Sequence, residues 1–154
     1  MKLIRTTRAG LVFQLGRGEE RLLRDILSRY PRIPPAHQPL SRSGHIPDRD
    51  ANQRLLDEAL AEQRAENRKQ LQALLADPRR FQQTADGCRL SLSRAETEWL
   101  LQVLNDVRVG SWICVGSPEG AMEGLTAENA GDFWVMEMAG CFQGQLLMAL
   151  EEEA

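Results

Sequence analysis

Ser93-Arg94-Ala95-Glu96-Thr97-Glu98-Trp99-Leu100-Leu101-Gln102-Val103-Leu104-Asn105-Asp106-Val107-Arg108 is the stretch on which the fold turns. Ser93 followed by Glu96 is a capping box, in which hydroxyl and carboxylate each satisfy a backbone N–H at a helix start. The run beyond it is apolar at helical spacing and resumes in Trp112-Ile113-Cys114-Val115, which predicts a helix to about Val115. Asn105, Asp106 and Arg108 are a polar knot inside it. Arg108 is the only basic residue between positions 95 and 154, among eleven acids. On a helix it meets Leu104 or Asn105 above and Trp112 below, while Asp106 points toward Gln102 and Gly110. The knot is therefore expected to be two interactions. Asp106 caps or pairs with another element, with Arg21, Arg24, Arg89 and Arg94 as its basic candidates. The expected role is a partly buried network that fixes helix register, with Arg108 locking the C-terminal helices to the N-terminal part.

Upstream, Gly87-Cys88-Arg89-Leu90-Ser91-Leu92 alternates with period two. It offers a third strand, over 88–92, to a hairpin formed by Leu3–Thr7 and Gly10–Leu15. Gly16-Arg17-Gly18 reads as a turn. Glu19 and Glu20 then suit the positive end of a helix whose apolar stripe is Leu22, Leu23, Ile26, Leu27 and Tyr30, stopped by Pro31. A proline-rich internal loop follows over 31–49. Asp50 with Gln53 resembles a capping box for a long helix to Ala76, apolar at both ends and alanine-only between 61 and 70. After a break at Gly116–Gly120, Thr126 caps a last helix through Leu150 that is apolar nearly all round. Gly140 and Gly144, one turn apart, suit a close helix approach. The fold class is α+β and predominantly helical: a small N-terminal antiparallel β-hairpin, with the third strand open, packed on a bundle of about four helices. One domain spans 1–154.

The three tryptophans all fall after position 98, toward the C-terminal end, where the densest packing is expected. The longest apolar tract, 130–150, contains Asp132, Glu137, Gln143 and Gln145, a poor membrane span. No N-terminal apolar run resembles a signal peptide, and three widely spaced cysteines make no disulfide framework or zinc spacing, so a cytoplasmic location is expected. A net charge of −3 hides an asymmetry: residues 1–49 carry ten cations and four acids, residues 50–154 nine and eighteen. A basic N-terminal third can meet an anionic partner such as nucleic acid, although balance by the acidic remainder is the expected use.

No phosphate loop, dinucleotide fingerprint or serine elbow is present. His37 and His45 share the proline-rich loop with no spacing that fixes a metal geometry. No catalytic residue, metal or cofactor is assigned. Cys114 and Cys141 are expected to be buried among apolar neighbours, leaving Cys88 as the candidate reactive thiol. A helix apolar all round belongs in a core or an oligomer interface, so Phe133, Trp134, Met138 and Phe142 are the candidate interface of a homodimer.

The run from Trp99 to Arg108, with Asn105-Asp106-Val107-Arg108 at its centre and Phe133-Trp134-Val135-Met136 downstream, resembles an uncharacterised bacterial family. This is the domain-of-unknown-function family numbered twenty-seventeen. The resemblance implies an N-terminal strand pair, a variable middle, an aromatic-rich last helix and no enzyme activity. It suggests a cytoplasmic regulatory or protein-interaction domain, connected with stress-responsive transcription. The leading expectation is a non-enzymatic interaction protein with an unknown protein partner. A transcription-linked regulator using the basic third is the alternative, and an enzyme centred on Asp106 and Arg108 the third reading.

Overall fold

The computed structural model describes residues 1–35, 48–117 and 125–153. Among these described residues, four strands and four helices follow the order β1 (Lys2–Thr7), β2 (Gly10–Gly16), α1 (Arg17–Ser28), α2 (Arg49–Ala76), β3 (Phe81–Thr84), β4 (Gly87–Leu92), α3 (Arg94–Cys114) and α4 (Ala130–Glu153). The strands form one antiparallel sheet in the order β1-β2-β4-β3. The α+β, mainly helical class read from the sequence is what the chain adopts. Most of the loop expected over 31–49, with His37 and His45, lies outside the described residues.

Alternation decides which face of the sheet is buried. Leu3, Phe13, Leu90 and Phe81 are aligned partners in one row across all four strands. Leu11 pairs with Leu92 and Leu15 with Cys88 on the same face. These β2 and β4 side chains are buried, together with Leu23, Ile26 and Leu27 of α1 and Leu100, Val103, Leu104 and Val107 of α3. Val135, Ala139, Phe142 and Leu146 of α4 complete the core. Each large apolar side chain so buried contributes about 1.5–3 kcal/mol by leaving water. The opposite row, Lys2, Gln14, Arg89 and Gln82, carries only polar side chains.

The two central strands hand over directly to helices. Gly16 ends β2 and Arg17 begins α1, so Gly16-Arg17-Gly18 is a helix entry and not the expected turn. Glu19 closes that entry by accepting from the Gly16 N–H at 2.8 Å. At the end of β4, Ser93 and Glu96 form the expected capping box, with Glu96 N–H to Ser93 Oγ at 3.2 Å and Ser93 N–H to Glu96 Oε2 at 2.7 Å. Gly10 and Gly87, both at positive φ, lie where a Cβ would fall 2.1 Å from the Leu92 carbonyl oxygen and 2.0 Å from that of Leu15. Only glycine fits either site.

Several boundaries differ from those read in the sequence. β3 was not foreseen: Phe81 is its single inward apolar anchor, so it shows no alternation. α2 starts at Arg49 after Asp48, ahead of the Asp50 and Gln53 pair. Thr126 and Asn129 hold a turn by exchanging two hydrogen bonds, and α4 starts only at Ala130. Among the tryptophans, Trp112 is 37% and Trp134 48% exposed, whereas Trp99 packs half-buried against the core.

α2 docks by one end. Leu71 and Leu74 enter the core, the Leu75 carbonyl accepts from Arg24 at 2.8 Å, and Leu55 near the other end is 63% exposed. Leu71→Ala is therefore expected to cost about 2–5 kcal/mol in urea denaturation, against no more than about 0.5 kcal/mol for Leu55→Ala.

Candidate functional site

The polar knot of α3 sits where three elements meet. Asp106 projects from α3 toward the segment that follows α1. Its Oδ1 accepts the backbone N–H of Arg32 at 2.6 Å and that of Ile33 at 3.3 Å. One turn on, Gly110 removes the side chain that would stand in the way: a Cβ there would lie 2.6 Å from the Arg32 carbonyl carbon. The Asp106 and Gly110 pair, four residues apart on one helix face, is thus a cradle for a length of backbone. Arg32 completes the junction by pairing its guanidinium with Asp132 near the start of α4.

Asp106 does cap another element, as its helical position implied. Its partner is a backbone segment, however, and none of Arg21, Arg24, Arg89 and Arg94. Arg24 bonds Glu20, and Arg94 bonds Glu98. Arg108 is the larger correction. It is exposed, its Nη2 reaches Asn105 Oδ1 at 3.3 Å, and its stem passes 3.6 Å from where a Cβ of Gly140 would stand. It is therefore a surface side chain laid over α4. The lock between the N-terminal part and the last two helices is made by Asp106, Gly110, Arg32 and Asp132 instead. Gly131 and Gly144 face open space, so among the three α4 glycines only Gly140 accommodates a neighbour.

Beside this junction a cavity of about 210 Å³ runs between α2 and α3, lined by Tyr30, Ile33, Leu60, Asn67, Asn105 and Asp106 among others. Asn67 closes one end, donating to the Tyr30 hydroxyl at 3.0 Å and accepting from the Trp99 indole N–H at 3.1 Å. One carboxylate points into it and that carboxylate already holds two backbone donors, so no free base and nucleophile converge. Among the described residues, no three histidine, cysteine or acidic side chains cluster as metal ligands. An enzyme centred on Asp106 and Arg108 finds no support in this geometry.

The thiols are arranged opposite to expectation. Cys88 is buried beneath the sheet, whereas Cys114 and Cys141 are exposed. Burial, reinforced by the neighbouring Glu20 carboxylate, pushes the Cys88 thiol up from 9.0 to about 12, far from a reactive thiolate. Glu20 answers inversely: burial pushes it upward, but hydrogen bonds from Arg24, Gln83 and Cys88 outweigh this and hold it below its usual 4.5. The candidate interface also divides. Phe142 is a core residue, Met138 and Phe133 are half-buried with Met138 packed on the core, and Trp134 alone is well exposed. The solvent side of α4 is instead Trp134, Cys141, Leu147 and Met148.

Compared with known proteins, the chain matches no family model, no curated protein and no solved structure.

Removing the carboxylate that holds Arg32 should cost about 1.5–3 kcal/mol, since two backbone donors lose a charged acceptor. Asp106→Ala is thus expected to lower the melting temperature clearly, and Gly110→Ala to do so by steric conflict. Arg108→Ala should cost under about 1 kcal/mol, as exposed polar pairs do; a large loss there would reverse the assignment.

A thiol reagent should label Cys114 in the native protein, Cys141 in the native single chain and Cys88 only on unfolding. Because the folded Cys88 keeps its proton above 9.0 while the unfolded chain releases it, its contribution to stability should fall away between pH 9.0 and about 12. Cys88→Ala should flatten that part of an alkaline denaturation curve.

Proposed function

We propose that this chain is a non-enzymatic interaction domain that pairs with a second copy of itself through the solvent face of α4. The observation that carries the reading is the apolar stripe on that face. Trp134 is 48% exposed, Leu147 49% and Met148 62%, with Cys141 between them. Trp134, Cys141 and Met148 recur every seven residues, which keeps them in line along a helix. An isolated exposed leucine needs no explanation, whereas Trp134, Leu147 and Met148 together on one helix face, with Glu137 and Gly144 between them, mark a contact surface.

The distribution of charge on α4 selects an arrangement. In a two-fold antiparallel pair centred on Cys141, Trp134 opposes Met148 of the partner copy and Glu137 opposes the Gly144–Gln145 region. Glu151 and Glu152 then oppose Gly131 and Ala130. No acid of α4 meets another. A parallel pair would instead set Glu137 against Glu137 and the acidic ends against each other. An isologous contact of this kind is the commonest way soluble chains assemble.

The reading fits a cytoplasmic regulatory role, as the resemblance of the Asn105-Asp106-Val107-Arg108 region suggests. The thiols at Cys114 and Cys141 suit a reducing compartment. No helix of the described chain is long and apolar enough to cross a membrane.

Sedimentation equilibrium of the full chain should give a dimer mass that Trp134→Asp and Met148→Asp each return to that of a monomer with an unchanged melting transition. Mild oxidation should cross-link the wild type through Cys141, and Cys141→Ser should stay dimeric without cross-linking. A monomer mass at every concentration would refute the pairing.

A further inference from the structure

The solvent face of the sheet is an electrostatic surface of a different kind. Its four strands contain three cations, Lys2, Arg5 and Arg89, and no acid. A fourth cation, Arg8, stands in the β1–β2 turn. All four are exposed. Among the described residues none of them pairs with a carboxylate, although the acids around the sheet are nearly all engaged. Glu19 is held by the Met1 amino group, Glu20 by Arg24, Asp77 by Arg79 and Glu96 by Arg80. Asp86, in the β3–β4 turn, is the exception.

A β-bulge puts these cations together. In an unbroken strand Lys2 and Arg5 would project to opposite faces, because their separation is odd. The register of β1 slips between Leu3, opposite Phe13, and Arg5, opposite Val12, which leaves Ile4 as the extra residue. The slip turns Arg5 onto the outer face with Lys2 and leaves Leu3 inward. Lys2, Gln14, Arg89 and Gln82 then form one cross-strand row of hydrogen-bond donors, and Arg5, Val12 and Ser91 the next. A shallow cavity of about 210 Å³ lies along the second row, between Arg5, Val12, Ser91 and Arg80.

We propose that this face binds the phosphate backbone of a nucleic-acid duplex without reading its bases. Unpaired cations and amide donors are what phosphate contacts require. The face has no aromatic side chain on which an unpaired base would stack, so it lacks the second component by which single strands are held. With charge as the only attraction, the duplex, with twice the charge per unit length of one strand, is the better ligand. An acidic peptide is the poorer fit, because protein contacts are anchored by buried aromatic or apolar side chains and Val12 is the only apolar group in these two rows. α4, with Glu137, Glu151 and Glu152 exposed and no cation, repels the same ligand and favours its approach to the sheet. The proposal does not depend on pairing through α4.

The test is fluorescence anisotropy of a labelled mixed-sequence DNA duplex with the full chain, over a series of salt concentrations. Binding should weaken with salt at a log–log slope of about −3 to −4, at about 0.9 per phosphate neutralised by four cations. The exposed double variant Arg5→Gln with Arg89→Gln should keep its melting temperature, lose about half that slope and bind at least about tenfold more weakly. Arg64→Gln with Arg68→Gln, on α2, should bind as the wild type does. Three results would overturn the proposal: a salt-independent or absent signal, equal binding by the sheet variant, or equal or tighter binding of a single strand or of polyglutamate.

Discussion

The pairing of β2 with β4 is the constraint on which the remaining elements depend. The two strands are about seventy residues apart in sequence, yet they align from Leu11 with Leu92 to Gly16 with Gly87. Both lead directly into helices, so the register of this one ladder also sets where α1 and α3 begin. A one-residue slip would turn Leu11, Phe13 and Leu15 to solvent and expose the whole inner row. Gly10 and Gly87 exclude that slip locally, since each occupies a backbone conformation and a space that no side chain tolerates. Closing so long a loop costs chain entropy before any contact repays it. The repayment comes from the aligned Leu3, Phe13, Leu90 and Phe81 row, to which α1 and α3 then add their buried faces.

What was legible in the sequence is what depends on neighbouring residues. Strand-like composition on either side of a short turn revealed β1 and β2, period two revealed β4, and the Ser93 and Glu96 capping box located the start of α3. β3 was hidden because an edge strand with one inward anchor carries no periodic signal. The partner of Asp106 was hidden for a different reason. A backbone N–H belongs to every residue but proline, so nothing in the composition of Arg32 or Ile33 announces that a carboxylate will capture it. The misreading of Arg108 followed from the same gap. An isolated cation among apolar residues suggested burial, but isolation along the sequence says nothing about which way a helix faces.

The tryptophans and α4 show how far hydrophobicity can mislead. A helix that is apolar all round has two explanations, core or interface, and the sequence does not separate its faces. In the fold the two faces of α4 separate. Val135, Ala139, Phe142 and Leu146 fill the core, while Trp134, Leu147 and Met148 stand in solvent. Burial of one face removes the need for the other to be apolar, so its retention there asks for a second partner. The same reasoning reassigns the cysteines. Cys88, beside a glycine and an arginine in sequence, is enclosed by the sheet's inner face, and the two in apolar helices are the accessible ones.

The charge asymmetry of the chain acquires a direction only through the bulge in β1. Counting residues gives a basic N-terminal third, but most cations of α1 are tied to carboxylates on the same helix or to backbone carbonyls. On the solvent face of the sheet Lys2, Arg5 and Arg89 have neither a carboxylate nor a carbonyl partner among the described residues. Had β1 run without its extra residue, Arg5 would have pointed toward the buried face, where an unpaired guanidinium is costly. The bulge at Ile4 avoids that cost and, by the same rotation, places Arg5 with Lys2 and Arg89. It also distorts an exposed edge strand, which discourages sheet-to-sheet pairing between copies. One inserted residue therefore keeps a charge out of the core, blunts an edge and gathers a cationic face, while the acids without cations are those of α4. A surface polarised in this way orients any charged ligand before contact, and the cations of the sheet and the exposed acids of α4 stand as two separate electrostatic features of one small domain.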